Sequence, residues 1–279
     1  MNILVTGANG FIGRHLAPRL RELGNVLTPR SFELNLLDEN SVTRYLAEHP
    51  ADYIVHLAAA GVRVSADSPE QVAEDNVRMF DNLVMHRPSD CPVIVLGSGA
   101  EYDKRQAIRR VPESAWKEDC PTDPYGRSKH EISRRIELLE NVSNLRVFGV
   151  FGPGEHPTRL PAYVLNCCRH NEDISLNQNV LFDYVYIDDL CDIITLFIKR
   201  NIHEKFVNIT PDKSIYLGDM ARIIVENFQT YTGTITFRNT GLGLEYTGDN
   251  SLFHNIIPDF KFMDYESSIK NYIKESISI

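Results

Sequence analysis

Val5-Thr6-Gly7-Ala8-Asn9-Gly10-Phe11-Ile12-Gly13 is the stretch on which the reading of this chain turns. An apolar run over residues 2–6 leads into it, and a helical pattern runs out of it to residue 23. Three glycines spaced by three, between a strand and a helix, mark a turn that can cradle a pyrophosphate. One glycine permits the tight turn, one lets the backbone approach the phosphates, and one lets the helix pack closely on the sheet. The helix N-terminus adds unpaired N–H groups and a favourable dipole for an anion. Gly7, Gly10, Phe11, Ile12 and Gly13 are therefore expected to hold a dinucleotide.

Beyond this turn, strand and helix patterns alternate. Residues 25–29, 53–60, 91–96 and 145–151 read as strands, and residues 41–48, 69–85 and 125–140 as helices. Strands apolar on both faces, separated by helices, imply a parallel sheet covered on each side. The predicted fold is α/β: a Rossmann-type doubly wound parallel sheet with a smaller C-terminal α/β substrate-binding lobe. Residues 1–152 are assigned to the dinucleotide-binding domain, with about 180–200 returning to it. Residues 153–279, where prolines and glycines loosen the pattern, are assigned mainly to the lobe.

Composition narrows the partners. Of 279 residues, 43% are hydrophobic and 24% charged, the balance of a soluble globular chain with one sizeable core. A net charge of −9 argues against nucleic acid or an anionic membrane as a general partner. It leaves room for an anionic ligand at a local arginine or helix N-terminus. The longest apolar runs, 53–61 and 91–97, are too short to span a bilayer, and a strand pattern opens the chain where a leader would lie. The cytoplasm is the expected compartment. Five cysteines, an odd number without metal-ligand spacing, read as small core residues in a reducing environment. The histidines show no metal-ligand pattern either, and no metal is expected.

An acid at the end of the second strand would hold the adenosine ribose of NAD. Here Val26-Leu27-Thr28-Pro29-Arg30-Ser31 carries no acid and one arginine. A guanidinium can pair with a 2′-phosphate, so Arg30 favours NADP(H) over NAD(H). Further along, Tyr125-Gly126-Arg127-Ser128-Lys129 puts a phenol and an ammonium four residues apart on one helix face. A phenol alone exchanges protons poorly near neutrality, and a neighbouring cation favours its ionised form, which suits general acid/base work on a carbonyl. Ser98, in Leu96-Gly97-Ser98-Gly99-Ala100-Glu101-Tyr102 at the carboxyl end of the preceding strand, completes a trio that can orient the reacting oxygen.

The glycine turn, His56-Leu57-Ala58-Ala59-Ala60, Ser98 to Tyr102, the Tyr-x-x-x-Lys and Val185-Tyr186-Ile187-Asp188-Asp189 follow one another as in extended short-chain dehydrogenases. Over residues 1 to about 220 the chain resembles the NAD-dependent epimerase/dehydratase family of nucleotide-sugar enzymes. Arg30 with Glu33-Leu34-Asn35-Leu36-Leu37-Asp38 looks particularly like the NADP(H)-dependent fucose synthases, which epimerise and reduce a 4-keto-6-deoxy sugar. The resemblance implies that Ser98, Tyr125 and Lys129 are catalytic, with Tyr125 and Lys129 also touching the cofactor. It implies that Leu37 and Asp38 border the adenine, that Leu57, Ala58 and Ala59 line the cofactor, and that Asn76 is structural near the nicotinamide. Glu101, Tyr102, Gly149 and Arg159 are the positions expected to face a nucleotide-diphosphate sugar. A homodimer through the helices at 69–85 and 125–140 is typical of the family.

Departures from the pattern sharpen the expectation. Dehydratases carry Asp-Glu directly after the catalytic hydroxyl residue, where Gly99-Ala100 stand here. Ala100 also occupies the place of the synthases' epimerisation cysteine, and near their histidine stand His156, Thr158 and Arg159. The arginine that commonly precedes the Val-Asp-Asp strand is replaced by Leu181-Phe182, leaving Arg159 as a substitute contact for the diphosphate. Asn9 stands where the synthases have a second 2′-phosphate arginine, so the cofactor preference rests on Arg30. These departures favour simple reduction of a 4-keto-6-deoxy sugar, in bacterial surface-polysaccharide synthesis by analogy. A C4 epimerase stays open, as does a non-catalytic dinucleotide-sensing regulator. Trp116 reads as a loop-packing aromatic, and Asp188 and Asp189 as capping carboxylates.

Overall fold

The computed structural model describes residues 1–60 and 68–277 and divides them into two compact units. The first comprises residues 1–105, 113–147 and 191–208, and the second 106–112, 148–190 and 209 onward. In the first unit β1 (Asn2–Thr6), α1 (Phe11–Leu20), β2 (Asn25–Leu27), α2 (Glu39–Glu48), β3 (Tyr53–His56), α3 (Pro69–His86) and β4 (Val93–Ser98) strictly alternate. A 3-10 turn at Gly99–Glu101 follows, then β5 (Ile108–Val111), which belongs to the second unit. α4 (Pro124–Glu137) and β6 (Val142–Val147) return to the first.

The second unit continues with β7 (Gly149–Phe151), α5 (Leu160–His170), β8 (Ile174–Leu176), β9 (Leu181–Phe182) and β10 (Tyr184–Tyr186). Within α6 (Ile187–Lys199) the chain passes back to the first unit, which β11 (Phe206–Ile209) completes. β12 (Ile215–Tyr216), α7 (Leu217–Glu226), β13 (Ile235–Phe237), β14 (Tyr246–Gly248), α8 (Ser251–Ile256) and α9 (Tyr265–Ile277) end the chain in the second unit.

The main sheet has the order β11-β6-β4-β3-β1-β2, and the pairs β2/β1, β1/β3, β3/β4 and β4/β6 are all parallel. This is the α/β, Rossmann-like architecture expected. Parallel pairing demands a crossover, which each intervening helix supplies. Chain order reverses between β1 and β3, so ligands of such a sheet belong in the crevice beyond the carboxyl ends of those two strands. The core on one side joins Leu4, Ile54, Val93 and Val95 to Val42 and Leu46 of α2, Phe80 and Leu83 of α3, and Ile132 and Ile136 of α4. The spacing of Phe80, Leu83 and Val84, and of Ile132 and Ile136, is the helical i, i+3, i+4 pattern that turns one stripe inward. α3 and α4 begin alike: Ser68 caps Gln71 N–H ahead of Pro69, and Asp123 caps Gly126 N–H ahead of Pro124. Each cap is worth about 1 kcal/mol and fixes where the helix starts.

Three details differ from the sequence reading. The strand expected over 145–151 is two: β6 pairs with β4 in the main sheet, whereas β7 pairs with β10, so consecutive halves join different sheets. Residues 180–190 accordingly stay in the second unit, and Cys191 to Asn208 form the returning segment. The strand expected over 53–60 stops at His56; beyond it Ala58 N–H turns to the Thr6 hydroxyl, Ala60 N–H donates to Asn76 Oδ1, and the Ala60 carbonyl accepts from Asn76 Nδ2.

In the second unit β12-β9-β14-β5 form one sheet and β13-β8 a small parallel pair. Beside α5, Glu155 is buried, and burial lifts its carboxyl to about 8. Neither carboxylate oxygen finds a hydrogen bond of standard geometry among the described residues, although the Tyr272 hydroxyl and the N–H groups of Gly152 and Ala162 lie close. The native state keeps this proton up to about pH 8, whereas a free carboxyl releases it near 4.5. Over that window the unfolded chain binds fewer protons, so stability falls as pH rises. The melting temperature of the wild type, followed by circular dichroism, should therefore decline more steeply from about pH 5 to about pH 8 than that of Glu155→Gln.

Candidate active site

The glycine turn closes as its spacing predicts. Gly7 adopts φ +71, a conformation costly to residues with a Cβ, and its carbonyl accepts Gly10 N–H at 2.9 Å. A Cβ on Gly7 would lie 2.6 Å from Ala58 N, and one on Gly13 would lie 2.4 Å from the Gly7 carbonyl oxygen. Both contacts are with backbone, so neither can yield cheaply. Gly10 precedes α1 and offers no side-chain cap, which leaves the first N–H groups of the helix for an anion. Phe11 and Ile12 open α1, half-buried. This cradle fits the pyrophosphate of a dinucleotide.

Across the switch point, Thr6 Oγ1 accepts Ala58 N–H at 3.3 Å and lies 2.8 Å from His56 Nδ1. The threonine hydroxyl and the imidazole share this hydrogen bond, whose direction follows the histidine tautomer. Burial and the nearby Lys129 charge push His56 down to about 3, which keeps it neutral. Leu57 and Ala58 are thus held half-buried at the end of β3, Ala59 is exposed, and Asn76 clasps Ala60. Sequence reasoning assigned no role to Thr6 or His56. The polar pair at the ends of two buried strands was the available signal.

Ser98 closes β4. Its N–H donates to Glu101 Oε1 at 3.0 Å, and its Oγ accepts Ala100 N–H at 3.1 Å. The hydroxyl hydrogen is thereby left as the outgoing group, apt for a carbonyl oxygen. Tyr125 and Lys129 lie one turn apart on α4. A Cβ on Gly126 would sit 2.7 Å from the Ala100 carbonyl oxygen, so this glycine admits the start of α4 to the turn that carries Ser98. Tyr125 is 36% exposed, whereas Lys129 is 8% exposed and donates from Nζ to the Leu96 carbonyl at 3.0 Å. Its Nζ stands 6.0 Å from the Tyr125 ring centroid. A buried ammonium anchored to β4 beside an accessible phenol is the arrangement expected of an acid/base pair.

The outlying positions expected to meet the cofactor are exposed or half-buried. Arg30 projects from the loop after β2, its N–H bonded to Glu33 Oε2 at 2.8 Å. Leu37 is half-buried, and Asp38 caps α2 by accepting Asn40 N–H.

Glu101 and Tyr102 depart from the expected substrate contact. Glu101 is fully buried, paired at 2.6 Å with the equally buried Arg146, and Tyr102 is 3% exposed with its hydroxyl donating to Asn208 Oδ1. Both point into the first unit because Arg146, near the carboxyl end of β6, needs acceptors there. That buried arginine was the signal the sequence reading passed over. Trp116 is likewise buried, packed edge-on against His130 and tilted against Phe206. Gly149 and Arg159 belong to the second unit: the first lies flush against the Phe182 and Tyr184 rings, and the second is exposed at the N-cap of α5. Asp189 accepts Met263 N–H at 3.0 Å, a structural bond.

A doubly wound sheet with a three-glycine turn, a serine ending its fourth strand and a Tyr-x-x-x-Lys on the following helix define a short-chain dehydrogenase/reductase-type enzyme. Residues 3–210 match the family described as "NAD dependent epimerase/dehydratase family", and the chain belongs to it. It is 30% identical over 227 residues to a GDP-6-deoxy-D-talose 4-dehydrogenase of Aggregatibacter actinomycetemcomitans, covering 75% of this chain and 74% of that one. To a CDP-abequose synthase of Yersinia pseudotuberculosis it is 24% identical over 99% of both chains. A GDP-L-fucose synthetase of Naegleria fowleri bound to NADP superposes with a TM-score of 0.84 at 17% identity, over 99% of this chain and 92% of that one.

Because Gly7 is both left-handed and pressed on Ala58, Gly7→Ala should cost about 1–3 kcal/mol of stability. It should also weaken dinucleotide binding by roughly tenfold or more, measured by calorimetric titration.

Proposed function

We propose that the protein reduces a nucleotide-linked 4-keto-6-deoxy sugar to the 6-deoxy sugar with NADPH, in the cytoplasm. The observation that carries this reading is the pair on α4: an accessible Tyr125 phenol beside a Lys129 ammonium that is buried and fixed to the Leu96 carbonyl. The family supports a nicotinamide dinucleotide as cofactor, and the relative named as a GDP-6-deoxy-D-talose 4-dehydrogenase supports redox chemistry at C4 of such a sugar. When bound, the nicotinamide supplies the hydride. Tyr125 gives its phenolic proton to the carbonyl oxygen, Lys129 steadies the resulting charge and holds the ribose beside it, and Ser98 directs its hydroxyl hydrogen at the same oxygen.

Gly7, Gly10, Gly13 and the start of α1 hold the pyrophosphate, with Leu57 to Ala59 alongside and Leu37 and Asp38 at the adenine. Arg30 takes the 2′-phosphate. Arg159, exposed at the positive end of α5, takes the sugar diphosphate in place of the arginine that Leu181-Phe182 displaces. Gly99 and Ala100 carry no proton to give a leaving hydroxyl, which favours reduction over dehydration. A second copy is proposed to pack on α3 and α4, where a groove of about 580 Å³ is lined by Val77, Asp81, Ser128 and Glu131.

NADPH absorbance, followed with a panel of nucleotide-linked 4-keto-6-deoxy sugars, tests the reading directly. One sugar should consume NADPH stoichiometrically, and Tyr125→Phe should lower turnover by roughly 10²–10⁴-fold with NADPH affinity kept. Absence of NADPH consumption with every donor would count against reduction. Arg30→Ala should raise the KM for NADPH by roughly tenfold or more and leave that for NADH unchanged, since one charge-assisted contact is lost.

A further inference from the structure

The carboxylate of Glu101 has no role in the chemistry proposed above, yet it accepts five hydrogen bonds. Oε1 accepts the N–H of Ser98 at 3.0 Å and Asn144 Nδ2 at 3.1 Å. Oε2 accepts Arg146 Nε at 2.6 Å, the Ser133 hydroxyl, and Asn144 Nδ2 at 3.2 Å. Arg146 in turn donates to the Glu113 carbonyl at 2.8 Å and lies over the Phe206 ring, 4.5 Å from its centroid. Both charges are fully buried.

Burying such a pair costs several kcal/mol per ion before attraction offsets it, and an apolar pair of similar volume is often no less stable. Stability alone therefore gives no reason for a carboxylate here. The geometry does. Glu101 ends the 3-10 turn that starts at Ser98, and together they form a capping box: the serine hydroxyl accepts from the turn while the glutamate reaches back to the serine N–H. The two strands beside the turn carry the remaining anchors, Asn144 and Arg146 on β6 and Gly97 on β4. A Cβ on Gly97 would lie 1.9 Å from Asn144 Oδ1 and 2.6 Å from Glu101 Oε1, so the glycine before Ser98 is what admits the network to the serine.

We propose that Glu101, held by Arg146, is a positioning residue that fixes the Ser98 hydroxyl for the reaction through the Ser98 N–H. The inference rests on the reading of Ser98 as the group that orients the substrate carbonyl. Every hydrogen bond to the carboxylate is donated to it, so an amide at this position can accept on only one side. Its oxygen goes to the charged Arg146 donor, and its NH₂ then faces the Ser98 N–H, turning a bond into a repulsion.

The test is a double-mutant cycle on the full-length protein, with the sugar that consumes NADPH. Glu101→Gln should lower kcat by roughly 10- to 100-fold, the scale of a misplaced reacting group, while the KM for the sugar and the Kd for NADPH change less than about twofold. In a Ser98→Ala background the same substitution should change kcat by less than about twofold, because its effect passes through the serine. Glu101→Asp keeps the charge opposite Arg146 but draws the carboxylate back from Ser98, and should behave likewise if the glutamine variant folds poorly. Equal losses in both backgrounds, or unchanged kcat in the glutamine and aspartate variants, would overturn the proposal. Tyr125→Phe, run beside them, separates its failure from that of the catalytic reading: if that variant keeps turnover, the reading of the whole trio fails.

Discussion

Two stretches of backbone that meet without a side chain between them govern the ligand edge of this protein. Gly7 after β1 and Ala58 after β3 approach so closely that a single methyl on the glycine would overlap the amide nitrogen opposite. These are the two strands between which the sheet reverses its order, the one place where such a sheet leaves a crevice open. The close approach brings the start of α1 over that crevice, and Thr6 and Asn76 keep the β3 side from moving away. The cradle proposed for the pyrophosphate is thus a property of backbone packing, and its side chains need only be small.

Charge is handled differently. Lys129 is drawn under the sheet edge to the Leu96 carbonyl, where desolvation raises the cost of any second cation. The neighbouring His56 stays neutral, its Nδ1 hydrogen-bonded to the Thr6 hydroxyl. A protonated imidazole there would oppose the lysine. Burial first, and the lysine charge beside it, thus keep the histidine neutral at the end of the strand that leads into Ala58. Opposite it, the Glu101–Arg146 pair brings one negative and one positive charge together, so the surroundings of Ser98 gain polar anchorage without net charge.

Much of this was legible in the residues. The three glycines, the apolar strands and the Tyr-x-x-x-Lys each encode a local rule, and each holds in the structure as backbone geometry or helix periodicity. What was not legible depended on contacts between distant segments. Residues 145–151 look like one strand because both halves are apolar; only their partners, β4 for one and β10 for the other, divide them. Glu101 looks like a substrate contact because it follows Ser98 closely. It is buried because Arg146, 45 positions away, shares its ion pair. A four-residue strand such as β5 has no periodicity to declare it, and it forms because β14 supplies a parallel partner.

The second unit shows the same limit at the level of recognition. Phe182, beside the position of the missing arginine, stacks on Tyr184 at 4.6 Å and meets Tyr246 at 4.9 Å, while Tyr246 meets Phe148 at 4.9 Å. Gly149 and Gly248 lie flush beneath these rings, each leaving no room for a Cβ. Locked into such a ladder, Phe182 contributes packing, and its phenyl ring has no donor for a diphosphate. Returning an arginine to that position would remove a stacked partner from both neighbours and place a charge among them. The side chain at this position is thus committed to half-buried ring packing, and in the proposed function an exposed cation meets the diphosphate. Arg159 has that character: it is exposed, and it sits where the dipole of α5 adds to its own charge.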